Sequence, residues 1–157
     1  MNRKAIGSAL LLASLPLSVA AGPMEVSQSF CEARIAGDQD RLIAMLTPTL
    51  GAIVADALER NAAIVLSSGK DAAPLQDGIP FASYPAAVRS CVAGNVAHSH
   101  NVDVVDVHYE AVDGAKWIDR LVIATGTAQI DDVLFASFPT DTYHGGLRRI
   151  LADSFDQ

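Results

Sequence analysis

The feature that most limits how this chain can fold is a change of texture across residues 69–87, a stretch punctuated by Pro74, Gly78, Pro80 and Pro85. Proline fixes φ and lacks a backbone donor, and glycine loosens the chain, so neither a helix nor a central strand runs through such a segment. Before it, apolar residues recur at helical spacing; after it, they alternate as strands do. Helices first and strands second predict an α+β domain with the helices packed on one face of a sheet. A linking stretch of this length is unusual in a compact domain, and long loops are often either functional or flexible.

In the first half, residues 26–36 place Val26, Phe30 and Ala33 on one side, with Cys31 beside them, and Gly37 stands where helices commonly stop. Asp38 is positioned to cap a short second helix carrying Leu42, Ile43 and Leu46. Thr47-Pro48 opens a third, with Thr as N-cap and Pro at the first helical position, where its missing N–H costs nothing. Leu50, Ile53, Val54, Ala57, Leu58 and Val65 give that helix its apolar face, and Ser67-Ser68-Gly69 ends it.

The second half predicts four strands, over 89–98, 102–112, 116–124 and 128–135. Val102 and Val104 fall in one phase while Val105, Val107 and Tyr109 fall in the other, which suggests a bulge near Val104. Asp113-Gly114 and Thr125-Gly126 are turn signals. Residues 146–155 return as a short helix with Leu147, Ile150, Leu151 and Phe155 on one face. The expected architecture is N-terminal helices packed on a curved, mainly antiparallel four-stranded sheet, closed by a short C-terminal helix.

The extreme N-terminus reads as an address. Asn2-Arg3-Lys4 is basic, residues 5–17 carry no charge and much Leu and Ala, and Val19-Ala20-Ala21 is the small-residue pattern that signal peptidase accepts. The apolar run of about 13 residues is short of the ~20 that span a bilayer, and Pro16 interrupts it. No Cys lies at the cleavage region to take a lipid. A signal peptide over 1–21 and a single cone-like α+β domain over 22–157 are expected, periplasmic or secreted, with no membrane insertion after cleavage. The formal net charge of −7 becomes more negative still when the leader takes Arg3 and Lys4 with it. Such a surface repels nucleic acid and anionic lipid, so neither is an expected partner.

Two cysteines, Cys31 and Cys91, remain in that domain. Export into an oxidising compartment and an even count suit a disulfide, which in the chain-entropy picture contributes roughly 4 kcal/mol for a loop of this size. Two buried free thiols are the alternative.

Five short segments occur in a fixed order: Ala36-Gly37-Asp38, residues 46–50 (Leu-Thr-Pro-Thr-Leu), residues 77–81 (Asp-Gly-Ile-Pro-Phe), Ile130-Asp131-Asp132-Val133, and residues 147–151 (Leu-Arg-Arg-Ile-Leu). Together they resemble an uncharacterised bacterial envelope domain family within the nuclear-transport-factor-two-like (cystatin-like α+β cone) superfamily, over nearly all of the mature chain. Members tend to place a Trp just before the Ile-Asp-Asp segment; this chain has Thr127-Ala128-Gln129 there and its Trp117 one strand earlier. The resemblance implies helices wrapped by a bent sheet, often with a pocket at the open end, and it leaves room for a homodimer. It implies no activity, because the superfamily holds isomerases and dehydratases as well as pure binding modules.

Chemistry-bearing residues are few. His98 and His100 share a face if their strand is regular, and the next strand would bring His108 and Asp106 near them, a set that could hold zinc or copper. Asn101 turns the chain there, however, and the spacing matches no metal signature; His144 stands apart. Asp131 and Asp132 are a paired carboxylate of the kind that runs acid–base chemistry. As strand neighbours they point to opposite faces and cannot form a dyad. At most one looks into a pocket, and the other caps backbone or pairs with Arg148 or Arg149. Ser-based and glycine-loop motifs are missing: no Ser stands in a Gly-x-Ser-x-Gly elbow, and Gly145-Gly146 lacks the rest of any phosphate-binding pattern.

No cofactor or metal is expected. The leading expectation is a non-enzymatic module that binds a small ligand or an envelope protein. Its candidate binding residues are Phe81, Trp117, Asp131 and Asp132, with Phe81 and Trp117 walling a concavity between the third helix and the sheet. One alternative is a cone-fold enzyme, of isomerase or dehydratase type, using Asp131 or Asp132 as its base. The other is an immunity or assembly protein acting through its surface.

Overall fold

The computed structural model describes residues 21–137 and 142–156. The leader expected over 1–21 lies outside them, apart from its last residue. Helix α1 (Pro23–Ala36) begins with proline at its first position and ends at Gly37, whose φ of 66° is the left-handed conformation glycine adopts without strain. Val26, Phe30, Cys31 and Ala33 are its buried stripe, laid against the first two strands. Helix α2 (Gln39–Ala44) is capped by Asp38, which accepts from Arg41 N at 3.0 Å. Helix α3 (Pro48–Ser68) starts where Thr47 Oγ1 accepts from Leu50 N at 3.3 Å. It buries Leu50, Val54 and Ala57, whereas its last turns run out to the surface and leave Leu66 exposed.

Residues 69–87 cross from helices to sheet as irregular chain after one 3-10 turn, Lys70–Ala72. Much of the segment is core: Ala73, Leu75, Ile79, Phe81 and Ala82 are buried. Asn61 of α3 holds it in place, accepting from Leu75 N at 2.9 Å and donating to Leu75 O at 3.4 Å. A loop with its own apolar side chains inside is part of the core and not an appendage to it.

Among the described residues the sheet has five strands, not four: β1 (Val88–Ser99), β2 (Val102–Ala111), β3 (Lys116–Ala124), β4 (Gln129–Ser137) and β5 (Thr142–Gly146), an antiparallel meander in sequence order. The fifth escapes sequence reading because its residues, Thr-Tyr-His-Gly-Gly, carry no apolar alternation. It exists through pairing with β4, from Ser137 opposite Thr142 to Leu134 opposite Gly146. The bulge expected near Val104 is also corrected. In β2, Val105, Val107, Tyr109 and Ala111 keep one inward phase, and β2 pairs β3 without a register shift. The nearest irregularity lies across the hairpin in β1, between Ala93 and Val96, and a second falls between Val88 and Ser90. Valines on the outer face of β2 imitate a phase slip that the backbone does not make.

Helix α4 (Leu147–Asp153) follows β5 directly and buries Leu147 and Leu151. Among the described residues α1, α3 and α4 pack against the sheet, and α2 bridges α1 and α3, giving the α+β order read from the sequence. Two ties lock the layers. Cys31 and Cys91 form a disulfide between α1 and β1, with Cα atoms 5.1 Å apart. The junction of α2 and α3 bonds to β4 beyond the reach of β5, through Thr47 N to Ile130 O at 2.8 Å and Ile130 N to Met45 O at 2.9 Å. Among the described residues no helix is long and apolar enough to cross a membrane.

Candidate functional site

A cavity of about 470 Å³ opens beside the loop of residues 74–85. That loop forms one side with Leu75, Ile79, Pro80 and Phe81; Phe135 of β4 and Ile150 and Ser154 of α4 and its end form another; and Arg34 from the last turn of α1 closes it. Gln39 latches the rim, donating to Asp77 O at 3.4 Å and accepting from Ile79 N at 3.3 Å. Gly78, at a φ of 89°, lets the chain turn beneath that side chain; a Cβ here would meet Gln39 Nε2 at 2.4 Å.

The polar groups around this cavity are unusual. Among the described residues, three buried side-chain atoms have no hydrogen-bond partner: Arg34 Nε, Ser83 Oγ and Tyr109 Oη. Folded proteins leave few such groups, and each costs free energy when it stays unpaired. Arg34 and Ser83 line the cavity itself. Tyr109 lies behind it, stacked on Trp117 with ring centroids 4.8 Å apart. Burial pushes its phenol well above its ordinary pKa, the charge of Asp119 adds to the shift, and the charge of Arg34 opposes it. Asp119 is fully buried and accepts from Ser83 N at 2.9 Å and from Trp117 Nε1 at 3.2 Å. A cation and an idle hydroxyl in the wall, with a buried acid and a second idle hydroxyl behind them, thus gather at a hollow of mixed polar and apolar lining.

Of the residues expected to bind, Phe81 is in the wall of this cavity. Trp117 is one layer back, between Tyr109 and Tyr84, whose ring is 5.2 Å away. Asp131 and Asp132 lie elsewhere, where β4 meets α4. Asp131 Oδ1 accepts from Thr47 Oγ1 at 3.0 Å and from Arg148 Nη2 at 2.7 Å, and Arg148 Nε donates to Asp131 O at 3.0 Å. Asp132 Oδ1 accepts from Val133 N at 2.8 Å and Arg148 N at 3.3 Å. Burial is the largest influence on Asp132 and holds its carboxyl above the usual range, although backbone donors and the Arg148 charge pull it back. Gly146 leaves room for that carboxylate, since a Cβ there would be 2.3 Å from Oδ2. The two acids fasten the start of α4 and so fix Ile150 and Ser154 in the cavity wall.

The concavity expected between α3 and the sheet is instead a hollow between loop, α1 and α4. The histidine neighbourhood is likewise corrected. His98 pairs with Asp103 at 2.6 Å, while His108 stands opposite Val92, half a strand away, with its ring over Gly94. Among the described residues no group of three His, Cys, Asp or Glu side chains could hold a metal ion.

Sequence reasoning missed Arg34 and Asp119, and signals for both were present. Arg34 follows Phe30 by four residues and Cys31 by three, which puts a cation on the buried stripe of α1. Asp119 falls in the inward phase of β3, between Trp117 and Leu121. A charge on an apolar stripe is a site signal because burying it unpaired is costly.

No family model, curated protein or solved structure matches this chain.

Proposed function

We propose that the domain is an exported, non-enzymatic binding module that takes a small ligand in the cavity beside residues 74–85. One observation carries this reading: the unpartnered Arg34 Nε and Ser83 Oγ belong to the wall of one hollow that also holds a cluster of apolar side chains, Leu75, Ile79, Phe81, Phe135 and Ile150. Apolar walls with a few convergent polar anchors are how small-molecule sites are built. The order of helices, five-stranded meander and closing helix supports membership of the nuclear-transport-factor-two-like superfamily. The disulfide fits an oxidising compartment, and with the basic-apolar-small leader it supports a periplasmic or secreted location. A ligand that binds only the folded state raises the melting temperature by mass action, so a thermal-shift screen of envelope metabolites is the test. A hit lost on Phe81→Ala supports the reading; a screen without hits counts against it.

A surface role is the second reading, favoured by a row on the outer face of the sheet. Val92, His108 and Ile118 stand side by side across β1, β2 and β3, with both apolar members exposed. A homodimer or an envelope protein joined there would be lost on Val92→Glu, as read by light scattering on the purified protein.

A further inference from the structure

We propose that the cavity selects a monocarboxylate with an apolar tail, the carboxylate bridging Arg34 and Ser83 and the tail lying along Ile79, Phe81, Phe135 and Ile150. This rests on the binding-module reading and adds the chemical class of the ligand.

The argument starts from what Arg34 lacks. The ion pairs among the described residues engage Arg41, Arg60, Arg89, Arg120, Arg148 and Arg149, and Arg34 takes part in none of them. Arg34 is half-buried, and its Nε is shielded from water with no protein acceptor to receive it. Guanidinium presents its donors as a planar fork that matches the two oxygens of a carboxylate. Ser83 Oγ, also buried and idle in the same wall, is free to donate to an oxyanion.

Charge limits the head group to a single negative charge. Asp119 is buried behind Ser83, and Asp77 lies at the rim. A second negative charge on the head group would add to the repulsion from these two acids, which favours a monoanion held directly by the guanidinium over a phosphate dianion. Leu75, Ile79, Pro80, Phe81, Phe135 and Ile150 make up the apolar part of the wall, beside the polar Gln39, Gln76, Tyr84 and Ser154, and suit an alkyl or aryl tail.

The test is calorimetry and thermal shift on the mature, disulfide-bonded protein with octanoate, decanoate and phenylbutyrate, set against octanol, decanol and inorganic phosphate. The carboxylates are expected to bind at least tenfold more tightly than the matched alcohols. Arg34→Gln should erase that preference by weakening the carboxylates at least tenfold more than the alcohols, and Ser83→Ala should reduce it several-fold. Circular dichroism of each variant separates lost binding from lost fold. Alcohols binding as well as the carboxylates, with Phe81→Ala abolishing both, would overturn the ligand class while leaving the cavity a binding site. Phosphate binding alone, lost with Arg34→Gln, would also overturn it. Silence from every probe would sink both this inference and the reading beneath it.

Discussion

Tyr109 shows in a single side chain how this molecule holds tension between packing and polarity. Its ring stacks on Trp117 in the core, yet its hydroxyl is buried with no partner among the described residues. Removing a hydroxyl that makes no bond removes a desolvation cost, so Tyr109→Phe should raise stability by about 1 kcal/mol in denaturant unfolding. A loss of that size would mean the hydroxyl is satisfied in solution. Asp132 gives a pH-dependent prediction. Its carboxyl is held above the usual range by burial, so the folded state binds a proton more readily than the unfolded chain. Its contribution is full below the unfolded value and lost as pH rises through the folded one. The stability of the wild type minus that of Asp132→Asn should therefore fall as pH rises from about 4. Unfolding curves at a series of pH values check the sign. At this scale the sequence was readable where a residue obeyed its element's period. Thr47, Asp38 and Gly37 cap helices as their types suggest, whereas Arg34 and Asp119, which break the period, were passed over, and they are the ones at the cavity.

Elements are tied more tightly than their lengths suggest. The disulfide joins α1 to β1 across a sequence separation of 60 residues, and its loss should cost roughly 4 kcal/mol. Comparing the unfolding of oxidised protein with that of Cys31→Ala measures it. A change under 1 kcal/mol would mean that packing between α1 and β1 does the holding alone. Thr47 and Arg148 both bind Asp131, so α3, β4 and α4 share one carboxylate. Thr47→Val and Arg148→Met should each cost about 1–2 kcal/mol, the pair being partly exposed, and their double mutant should be non-additive by about 0.5–1 kcal/mol. Strict additivity would show that the Asp131 bonds act independently. Helices and the first four strands were legible because periodicity and turn residues agree there. The fifth strand was not, because its residues acquire strand geometry only by pairing with β4. The bulge was misplaced because apolar outer residues on β2 hid which phase faced inward.

For the whole molecule, the order of texture along the chain decides the layers. Helices come first and cover one face of a meander, and the proline-punctuated segment between them folds into the core instead of hanging outside it. That segment creates the hollow, because Pro80 and Gly78 prevent it from completing either a helix or a strand against α1 and α4. The general architecture could be read from residue patterns. The hollow could not, since it arises where residues from α1, the loop, β4 and the end of α4 meet, and no local pattern records that meeting. Its occupancy is the central claim, and a two-dimensional amide NMR titration of the isotopically labelled protein with decanoate tests it most directly. Shifts that saturate and map to Arg34, Ile79, Phe81, Ser83, Phe135 and Ile150 are the predicted result. Shifts confined to the outer sheet face around Val92, His108 and Ile118, or none at saturating ligand, would contradict it.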